Sequence, residues 1–296
     1  MRTVFLGTAD FAVPVLRALA GSDHAPALVL TRPDRPRGRG RRLAPPPVAE
    51  AARELGLPVF QPERVNEAEA VAAVAAAAPE ALALCAYGAL IREPLLSLRP
   101  ILNVHPSLLP RWRGAAPVER AVMAGDADTG VSIIRLVAEL DAGPMALQAA
   151  EPIAPDDTFG TLAPRLAELG GQLLVRALDE DPPLRPQPEE GVTYAERIEA
   201  EDRRLEPRQH GAVELERQVR ALTPHIGAFV EPDGEERLGV RRAWVVEADE
   251  AAGPGELRAE GERLLLTCAP GTLELVEVQP PGKRAMAAAD YLRGRR

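Results

Sequence analysis

Residues 1–20 have the sequence MRTVFLGTADFAVPVLRALA, which contains the signals for one strand, one turn and one helix. The short apolar run Thr3–Leu6 predicts a β-strand, and Gly7 directly after it predicts a tight turn. Apolar residues between Phe11 and Leu19 then recur at helical spacing. A strand, a turn and a helix in this order form the first half of a βαβ unit, which is the building block of parallel sheets.

The same alternation of short apolar runs and helical patterns continues through the first half of the chain. Ala81–Ala86 contains no polar residue, as expected for a parallel strand that is covered on both faces. We therefore expect an α/β, Rossmann-like domain with a mainly parallel sheet. The other predicted strands are Ala27–Leu30, Val59–Phe60, Ile101–Val104 and Val131–Val137, and the predicted helices are Pro45–Leu55, Glu67–Ala78 and Asp157–Leu178.

The composition of the sequence changes after residue 180. Residues 181–188 contain four prolines, and a highly charged stretch follows, which together predict a linker. One helix, Val213–Leu222, is then followed by short strands that Gly/Pro turns separate, a pattern typical of a small β-barrel. We predict a catalytic domain over 1–188, a linker over 189–207 and an OB-like β-barrel domain over 208–296. The predicted barrel strands are Ala228–Glu231, Gly239–Val246, Arg263–Cys268 and Thr272–Val278.

Composition narrows the class of protein. The longest apolar runs have about ten residues, whereas a membrane span needs about 20, so we expect a cytoplasmic protein without a membrane segment. Two cysteines in apolar runs predict buried, reduced thiols rather than a disulfide framework. The four histidines have no metal-ligand spacing, and the chain has neither a G-x-S-x-G motif nor a P-loop, so we predict no metal site.

Positive charge is concentrated in two places, although the formal net charge of the chain is −9. Residues 32–43 contain six arginines and one acidic residue, which gives +5, and the tail from Lys283 to Arg296 carries +4. A solubilising charge run would look similar. Two strongly basic segments in a chain that is acidic overall nevertheless favour local binding sites for anions such as phosphates.

Asn103 and His105 end a predicted strand and are two residues apart. Because side chains alternate along a strand, both should point to the same face. An amide can donate a hydrogen bond to a developing oxyanion, and an imidazole can transfer a proton, so the pair suits acyl transfer. Taken alone, an Asn-x-His sequence could equally be a hydrogen-bond network at a strand end.

Asp141 follows the predicted strand Val131–Val137 in the sequence Glu-Leu-Asp-Ala-Gly-Pro. If that strand ran parallel to the others, its carboxyl end would share the sheet edge where ligands bind. Asp141 could then approach His105 and orient its imidazole. The alternative is an ordinary Asx turn.

The turn after the first strand, Gly7-Thr-Ala-Asp, lacks the glycines of a dinucleotide-binding fingerprint. An oxidoreductase with a nicotinamide cofactor is therefore disfavoured.

Together these motifs resemble the folate-dependent formyltransferases, and the resemblance covers nearly the whole chain. Residues 103–117, NVHPSLLPRWRGAAP, are similar to the signature of that family, and residues 140–145, LDAGPM, are similar to its second motif. Residues 31–43, TRPDRPRGRGRRL, resemble the branch that formylates methionyl initiator tRNA. Further similarity lies in residues 5–12, 193–198 and 279–286, whereas His225 in Thr-Pro-His-Ile-Gly departs from the usual tryptophan.

The resemblance implies that the chain transfers the formyl group of 10-formyltetrahydrofolate to the α-amine of methionyl initiator tRNA in translation initiation. It implies catalytic roles for Asn103, His105 and Asp141. The implied folate-binding residues are Ser107, Leu108, Leu109, Pro110, Tyr87, Gly88 and Leu90. The implied tRNA-binding residues are Arg35, Arg37, Arg39, Arg41, Arg42, Lys283 and Arg284.

Two other functions fit parts of the same pattern. Formyltransferases that act on an amino sugar nucleotide or on glycinamide ribonucleotide share the Asn/His/Asp set, but the arginine run and the barrel do not suit a small substrate. A tRNA-binding protein without catalytic activity would need neither His105 nor Asp141. We expect the chain to act as a monomer.

Overall fold

A computed structural model describes residues 1–37, 42–232, 236–247 and 253–294. Its contacts divide the chain into two units, each built from separate parts of the sequence. The first unit comprises Met1–Gly114, Asp128–Pro152 and Ala163–Tyr194, and the second comprises Ala115–Ala127, Ile153–Leu162 and Ala195–Arg296. Two segments that the sequence-based boundaries include in the catalytic domain thus pack with the C-terminal part of the chain.

The elements alternate in the first half of the chain and are mainly strands in the second half. The strands are β1 Thr3–Gly7, β2 Pro26–Leu30, β3 Arg35–Arg37, β4 Arg42–Ala44, β5 Val59–Phe60, β6 Ala81–Cys85, β7 Ile101–His105, β8 Arg113–Gly114, β9 Asp128–Arg135, β10 Met145–Pro152, β11 Tyr194–Ala195, β12 Ala228–Val230, β13 Leu238–Val246, β14 Leu257–Glu260, β15 Arg263–Thr267, β16 Thr272–Gln279 and β17 Met286–Ala287. The helices are α1 Ala12–Ala20, α2 Pro47–Glu54, α3 Ala68–Ala76, α4 Leu95–Leu98, α5 Pro117–Ala124, α6 Phe159–Glu180, α7 Ala212–Leu222 and α8 Ala288–Arg293, and Glu201–Arg203 form one turn of 3₁₀-helix.

Within the described residues, the first unit contains a seven-stranded sheet with the order β10-β9-β7-β6-β1-β2-β5. The pairs from β7 to β5 are parallel, whereas β9 runs antiparallel to β7 and β10 runs antiparallel to β9. Every residue of β1 and β6 is buried, in agreement with their apolar sequences. The predicted mainly parallel α/β sheet is confirmed.

Two adjacent glycines in the middle of α6 allow this helix to approach the sheet. A Cβ atom on Gly170 would lie 2.7 Å from Val104 Cγ1, and one on Gly171 would lie 2.8 Å from Ala18 Cβ. Glycine in a helix interior costs about 1 kcal/mol relative to alanine. Here that cost is offset by close packing of α6 on β7 and α1, which keeps the site-bearing strand β7 covered.

The second unit contains an antiparallel sheet with the order β12-β13-β16-β15-β14, and β17 pairs with β16. Its core combines this sheet with α7, which buries Leu215, Val219 and Leu222 against it. The predicted small domain of antiparallel strands is confirmed. Its strands β14 and β17 and helix α8 were not predicted, because each is short and half-exposed.

His225, the departure from the family pattern, lies in the second unit. Its ring stacks on Phe159 with a centroid separation of 3.7 Å, and its Nε2 lies 3.0 Å from Glu119 Oε1. The imidazole thus contacts both α5, through Glu119, and the start of α6, through Phe159.

Each of the two units buries a core of apolar side chains. No helix in the described part of the chain is both long and apolar enough to cross a membrane. Cys85 and Cys268 are free and buried, and burial raises the pKa of both thiols, that of Cys268 to about 11.

Candidate active site

The carboxyl end of β7 carries the two polar side chains that the strand period places on one face. Asn103 and His105 are 8% and 4% exposed, and both face Asp141. Asn103 Nδ2 lies 3.5 Å from Asp141 Oδ1, and His105 Nδ1 lies 3.6 Å from Asp141 Oδ2. The structure therefore brings the three predicted catalytic residues together in one buried polar cluster.

The reason given from the sequence for the position of Asp141 was wrong. Strand β9 is antiparallel to β7, with His105 opposite Ser132 and Leu102 opposite Arg135, so the two strands end at opposite edges. An apolar run such as 131–137 does not encode strand direction. Asp141 reaches the site because residues 136–144 form a loop between β9 and β10, closed by the Arg135 N–H bond to Pro144 O (2.9 Å).

Both ring nitrogens of His105 face oxygen acceptors. Its Nε2 lies 2.9 Å from the carbonyl oxygen of Trp112, which can only accept a hydrogen bond, and its Nδ1 faces the Asp141 carboxylate. Asp141 Oδ2 also accepts the backbone N–H of Gly114 at 2.9 Å. The contact with Trp112 O therefore requires a hydrogen on Nε2, and the Asp141 carboxylate lies close enough to Nδ1 to stabilise a positive charge on the ring.

The backbone of Asp141 is held in a left-handed conformation, with φ at +47°. Aspartate tolerates this region better than most residues with a Cβ, but the conformation still needs support. Gln187 provides it, because its Nε2 donates to the carbonyl oxygens of Asp141 (2.7 Å) and Gly143 (2.8 Å). The buried Arg113 in turn donates to Gln187 Oε1 from Nε (3.0 Å) and from Nη2 (2.7 Å).

The segment after β7, which contains four predicted folate-binding residues, is anchored by its own polar groups. Ser107 is fully buried, and its hydroxyl donates to Arg111 O at 2.7 Å. Ser132 Oγ accepts the Leu109 N–H, and Gln148 Nε2 donates to Leu109 O at 3.0 Å. Leu109 is buried, whereas Leu108 and Pro110 are half-buried and offer apolar surface.

The loop after β6 leaves the sheet beside the segment after β7, because the two strands are parallel and Leu84 pairs with Asn103. Tyr87 is 2% exposed, and its ring packs in the core of the first unit rather than at the surface. Burial raises the pKa of Tyr87 to about 12, and the charge of Arg32 opposes this effect. Leu90 is 61% exposed, and Gly88 has a positive φ of +79°.

The predicted arginine loop has strands at both ends. Arg35 pairs with Ala44 and Arg37 pairs with Arg42 across the β3–β4 hairpin. Arg35 and Arg42 are exposed, and Arg35 Nη2 lies 3.6 Å from Glu63 Oε2. Arg39 and Arg41 lie outside the described residues, as does the side chain of Arg37. Lys283 and Arg284 are exposed in the second unit.

Sequence reasoning missed three residues of the site and its surroundings, Gln187, Arg113 and Asn66, because no local motif singles them out. Asn66 accepts the Arg92 N–H and donates to Leu90 O, so it holds the loop after β6. Arg113 and Gln187 are 74 positions apart, and Gln187 lies in a proline-rich stretch that predicts only a linker. Among the residues with described positions, no group of three or more His, Cys, Asp or Glu side chains could hold a metal ion.

Comparison with known proteins identifies the class to which this fold and site belong. Residues 1–178 match the family described as formyl transferase, and residues 197–296 match the formyl transferase C-terminal domain. The chain belongs to the formyl transferase family.

The relatives to which the chain is similar include two methionyl-tRNA formyltransferases. The protein of Methylococcus capsulatus (strain ATCC 33009 / NCIMB 11132 / Bath) is 44% identical over 301 residues, which cover 99% of this chain and 96% of the relative. The protein of Gluconobacter oxydans (strain 621H) is 44% identical over 301 residues, with 99% and 97% covered.

A solved structure supports the same fold. HypX from Aquifex aeolicus in complex with tetrahydrofolic acid has a TM-score of 0.68 and 18% identity, over 99% of this chain. The chain spans about half of the length of HypX, since 47% of that protein is covered. At this identity the similarity is one of fold.

Proposed function

We propose that the chain transfers the formyl group of 10-formyltetrahydrofolate to the α-amine of methionine esterified to initiator tRNA. The observation that carries the proposal is the buried cluster of Asn103, His105 and Asp141 at the carboxyl end of β7, in a member of the formyl transferase family. Relatives that are 44% identical over 99% of the chain are methionyl-tRNA formyltransferases. The basic hairpin and the antiparallel second unit favour a large anionic substrate over a sugar nucleotide.

The reaction needs no activated nucleophile from the protein. The α-amine of a peptide, which has no neighbouring carboxylate, has a pKa of about 7.7–8.0, and esterification likewise removes the carboxylate charge next to the amine of methionine and brings its pKa into this range or below it. Much of the amine is therefore neutral near pH 7. Its nitrogen bonds to the formyl carbon, the bond from that carbon to the folate nitrogen breaks, and the proton released by the amine passes to that nitrogen.

The protein's task is to stabilise charge on the formyl oxygen and to move this proton. Asn103 Nδ2 and the imidazolium of His105 are the donors for the oxyanion, and one such donor can contribute about 3–4 kcal/mol. Asp141 holds the positive charge and the orientation of His105. His105 Nε2 donates to Trp112 O, and Nδ1 faces Asp141. To donate a hydrogen bond to the substrate, the ring must therefore give up one of these two contacts.

The two loops that leave β6 and β7 at one edge of the sheet form the folate side of the site. The half-buried Leu108 and Pro110 and the exposed Leu90 offer apolar surface to a flat pteridine ring. Ser107 and Tyr87 support this surface from beneath, because their side chains are buried. Gly88 brings backbone close to the ring without a Cβ.

The positive charges serve the tRNA. The arginines of residues 32–43 contact the phosphates of the acceptor stem, and Lys283 and Arg284 contact the tRNA backbone elsewhere. The arginines concerned are Arg35, Arg37, Arg39, Arg41 and Arg42. Residues 1–188 form the catalytic domain, and residues 189–207 are the linker. Residues 208–296 provide most of the tRNA affinity that the arginines of residues 32–43 do not supply. The chain acts as a monomer in the cytoplasm.

The proposal is tested by transfer of labelled formyl from 10-formyltetrahydrofolate. Charged initiator tRNA should accept the label, whereas charged elongator methionyl-tRNA, free methionine and an amino sugar nucleotide should accept little. Label in the sugar nucleotide and none in tRNA would favour the small-substrate branch of the family. Tight tRNA binding without any transfer would favour a binding protein that lacks catalysis.

A further inference from the structure

The chain contains one lysine, Lys283, beside 34 arginines. On an exposed surface that needs only positive charge, the two residues are nearly equivalent. They differ where geometry matters, because the ammonium group is compact and mobile whereas the guanidinium group is a rigid planar fork. Position 283 is thus the one basic position of this sequence that carries the compact, mobile group.

Lys283 lies on the wall of a cavity of about 500 Å³ in the second unit. This volume is within the range of about 300–1,000 Å³ that is typical of small-molecule sites and is larger than a phosphate ion needs. The wall is partly apolar, with Leu238, the exposed Pro281 and the half-buried ring of Tyr291. Its charged part consists of Glu236, Arg237 and Asp290, together with Lys283.

The backbone of Lys283 is fixed while its side chain is exposed. The Lys283 N–H donates to Pro280 O at 3.1 Å, and Gln279 Nε2 donates to Lys283 O at 2.9 Å. Within the described parts of the chain, no carboxylate lies within 4.0 Å of the ammonium group. The cavity thus presents an amine on a flexible stem that starts from a rigid turn.

The charge of the cavity wall favours an anion. The wall carboxylate of Asp290 already pairs with Arg293, which also reaches Glu262 at 3.3 Å. Arg237 lies over the ring of Phe229, with its guanidinium carbon 3.4 Å from the ring centroid, so its charge stays at the wall. With Asp290 paired to Arg293, the wall retains two cations, Lys283 and Arg237, against one further carboxylate, that of Glu236, so one positive charge remains in excess.

We propose that this cavity is a subsite for one unstacked nucleotide of the tRNA, with Lys283 on its phosphate and the base against Tyr291 and Pro281. The proposal rests on the proposed function, which supplies the nucleic acid. Aromatic and apolar walls hold bases by stacking, whereas cations hold the backbone. A mobile point charge can follow the phosphate of a nucleotide that has left its helix, which a planar fork cannot do as freely.

The first test compares Lys283→Met, Lys283→Arg and the control Arg263→Lys, an exposed residue of β15 that pairs with Glu274. Initiator tRNA binding is measured over a salt titration. Lys283→Met should weaken binding about three- to tenfold and reduce the log–log salt slope by about 0.7, the value for one contact to a single strand. Lys283→Arg should weaken binding at least twofold with an unchanged slope, and Arg263→Lys should change neither.

The second test uses the unmodified protein, in which Lys283 carries the one side-chain amine, so peptide mapping can distinguish its methylation from that of the terminal α-amine. Reductive methylation should modify the side chain of Lys283 in the free protein, and saturating initiator tRNA should protect it at least fivefold. Equal affinity for Lys283→Arg and wild type, or equal methylation with and without tRNA, would overturn the subsite. If the wild-type protein formylates tRNA in that case, only the subsite fails; if it neither binds nor formylates tRNA, the proposed function fails as well.

Discussion

The turn around Asp141 and the cavity wall around Lys283 hold their charged groups in opposite ways. Asp141 is 9% exposed, and its carboxylate and backbone carbonyl contact Asn103, Gly114 and Gln187. Lys283 has a fixed backbone, but its ammonium group is exposed. Chemistry on a single carbonyl needs groups that are held within a fraction of an ångström, whereas recognition of a flexible polyanion benefits from charges that can follow it.

From this contrast we expect the largest loss of activity when the buried carboxylate of Asp141 is replaced. Asp141→Asn removes the charge opposite His105 while it keeps the shape, so turnover of formyl transfer should fall by two to four orders of magnitude. His105→Ala should cause a loss of similar size. Single-turnover rates on initiator tRNA provide the measurement, and near-normal rates in a folded variant would contradict the assignment of the site.

The arginines of residues 32–43 should affect affinity for tRNA instead of the chemical step. Replacement of Arg35, Arg37, Arg39, Arg41 and Arg42 by alanine should weaken binding of charged tRNA tenfold or more and make its salt dependence shallower. The affinity for 10-formyltetrahydrofolate should not change. An identical tRNA affinity over the whole salt range would mean that the run is only a solvated surface.

A smaller loss of turnover is expected at Gln187, where a role in positioning Asp141 can be distinguished from a role in stabilising the fold. Gln187→Ala removes the two hydrogen bonds that hold the left-handed turn at Asp141, so turnover should fall about tenfold. Gln218→Ala is the matched control, since Gln218 Nε2 likewise donates to two carbonyl oxygens, those of Asp202 (2.7 Å) and Arg204 (3.0 Å), in the second unit.

Both glutamine variants should lose similar stability in thermal unfolding, but only Gln187→Ala should lose turnover. Equal turnover in the two would show that the contacts of Gln187 are purely structural. Their pH profiles sharpen the distinction, because a displaced Asp141 should change the profile of turnover only in the Gln187 variant.

The smallest effect is expected at a surface ion pair of the second unit. Partial burial would raise the pKa of Asp202, but hydrogen bonds from Arg120 and the Glu199 N–H, with the Arg120 charge, together lower it. A lowered pKa means that the carboxylate stabilises the fold above its unfolded pKa of about 3.9 and that this contribution is lost as the pH falls through the folded value.

Asp202→Asn should therefore lower the unfolding temperature by a few degrees at pH 7, and the difference from wild type should shrink below about pH 4. Asp23→Asn, at an exposed position of the first unit, serves as the control. A difference that persists unchanged at pH 3 would show that the carboxylate charge is not its source.

The sequence predicted the parts of the site that depend on local geometry. The face shared by Asn103 and His105 follows from the two-residue period of a strand, and the apolar run in β6 predicts a doubly covered parallel strand. The direction of β9 could not be predicted, because an apolar run has no direction. Strand β10, from Met145 to Pro152, was missed because its residues are at most half-buried and show no strong alternation of apolar side chains.

The contacts of Gln187 could not be predicted for a different reason. They join residues 46 and 74 positions apart, and nothing local distinguishes Gln187 from other polar residues in a proline-rich stretch. Resemblance to a family supplied the link between Asp141 and the strand-end pair. The physical support of that link, a glutamine fixed by a buried arginine, became visible only in three dimensions.

The interleaving of the two units has a consequence for biosynthesis. Helix α5 buries Pro117, Val118, Ala121 and Val122 in a unit whose largest part, Ala195–Arg296, is translated much later. On the ribosome these side chains emerge before the elements that cover them exist. After α5 is synthesised, about seventy further residues are translated before synthesis of Ala195–Arg296 begins. The apolar side chains of α5 therefore lack their packing partners while most of the first unit is synthesised.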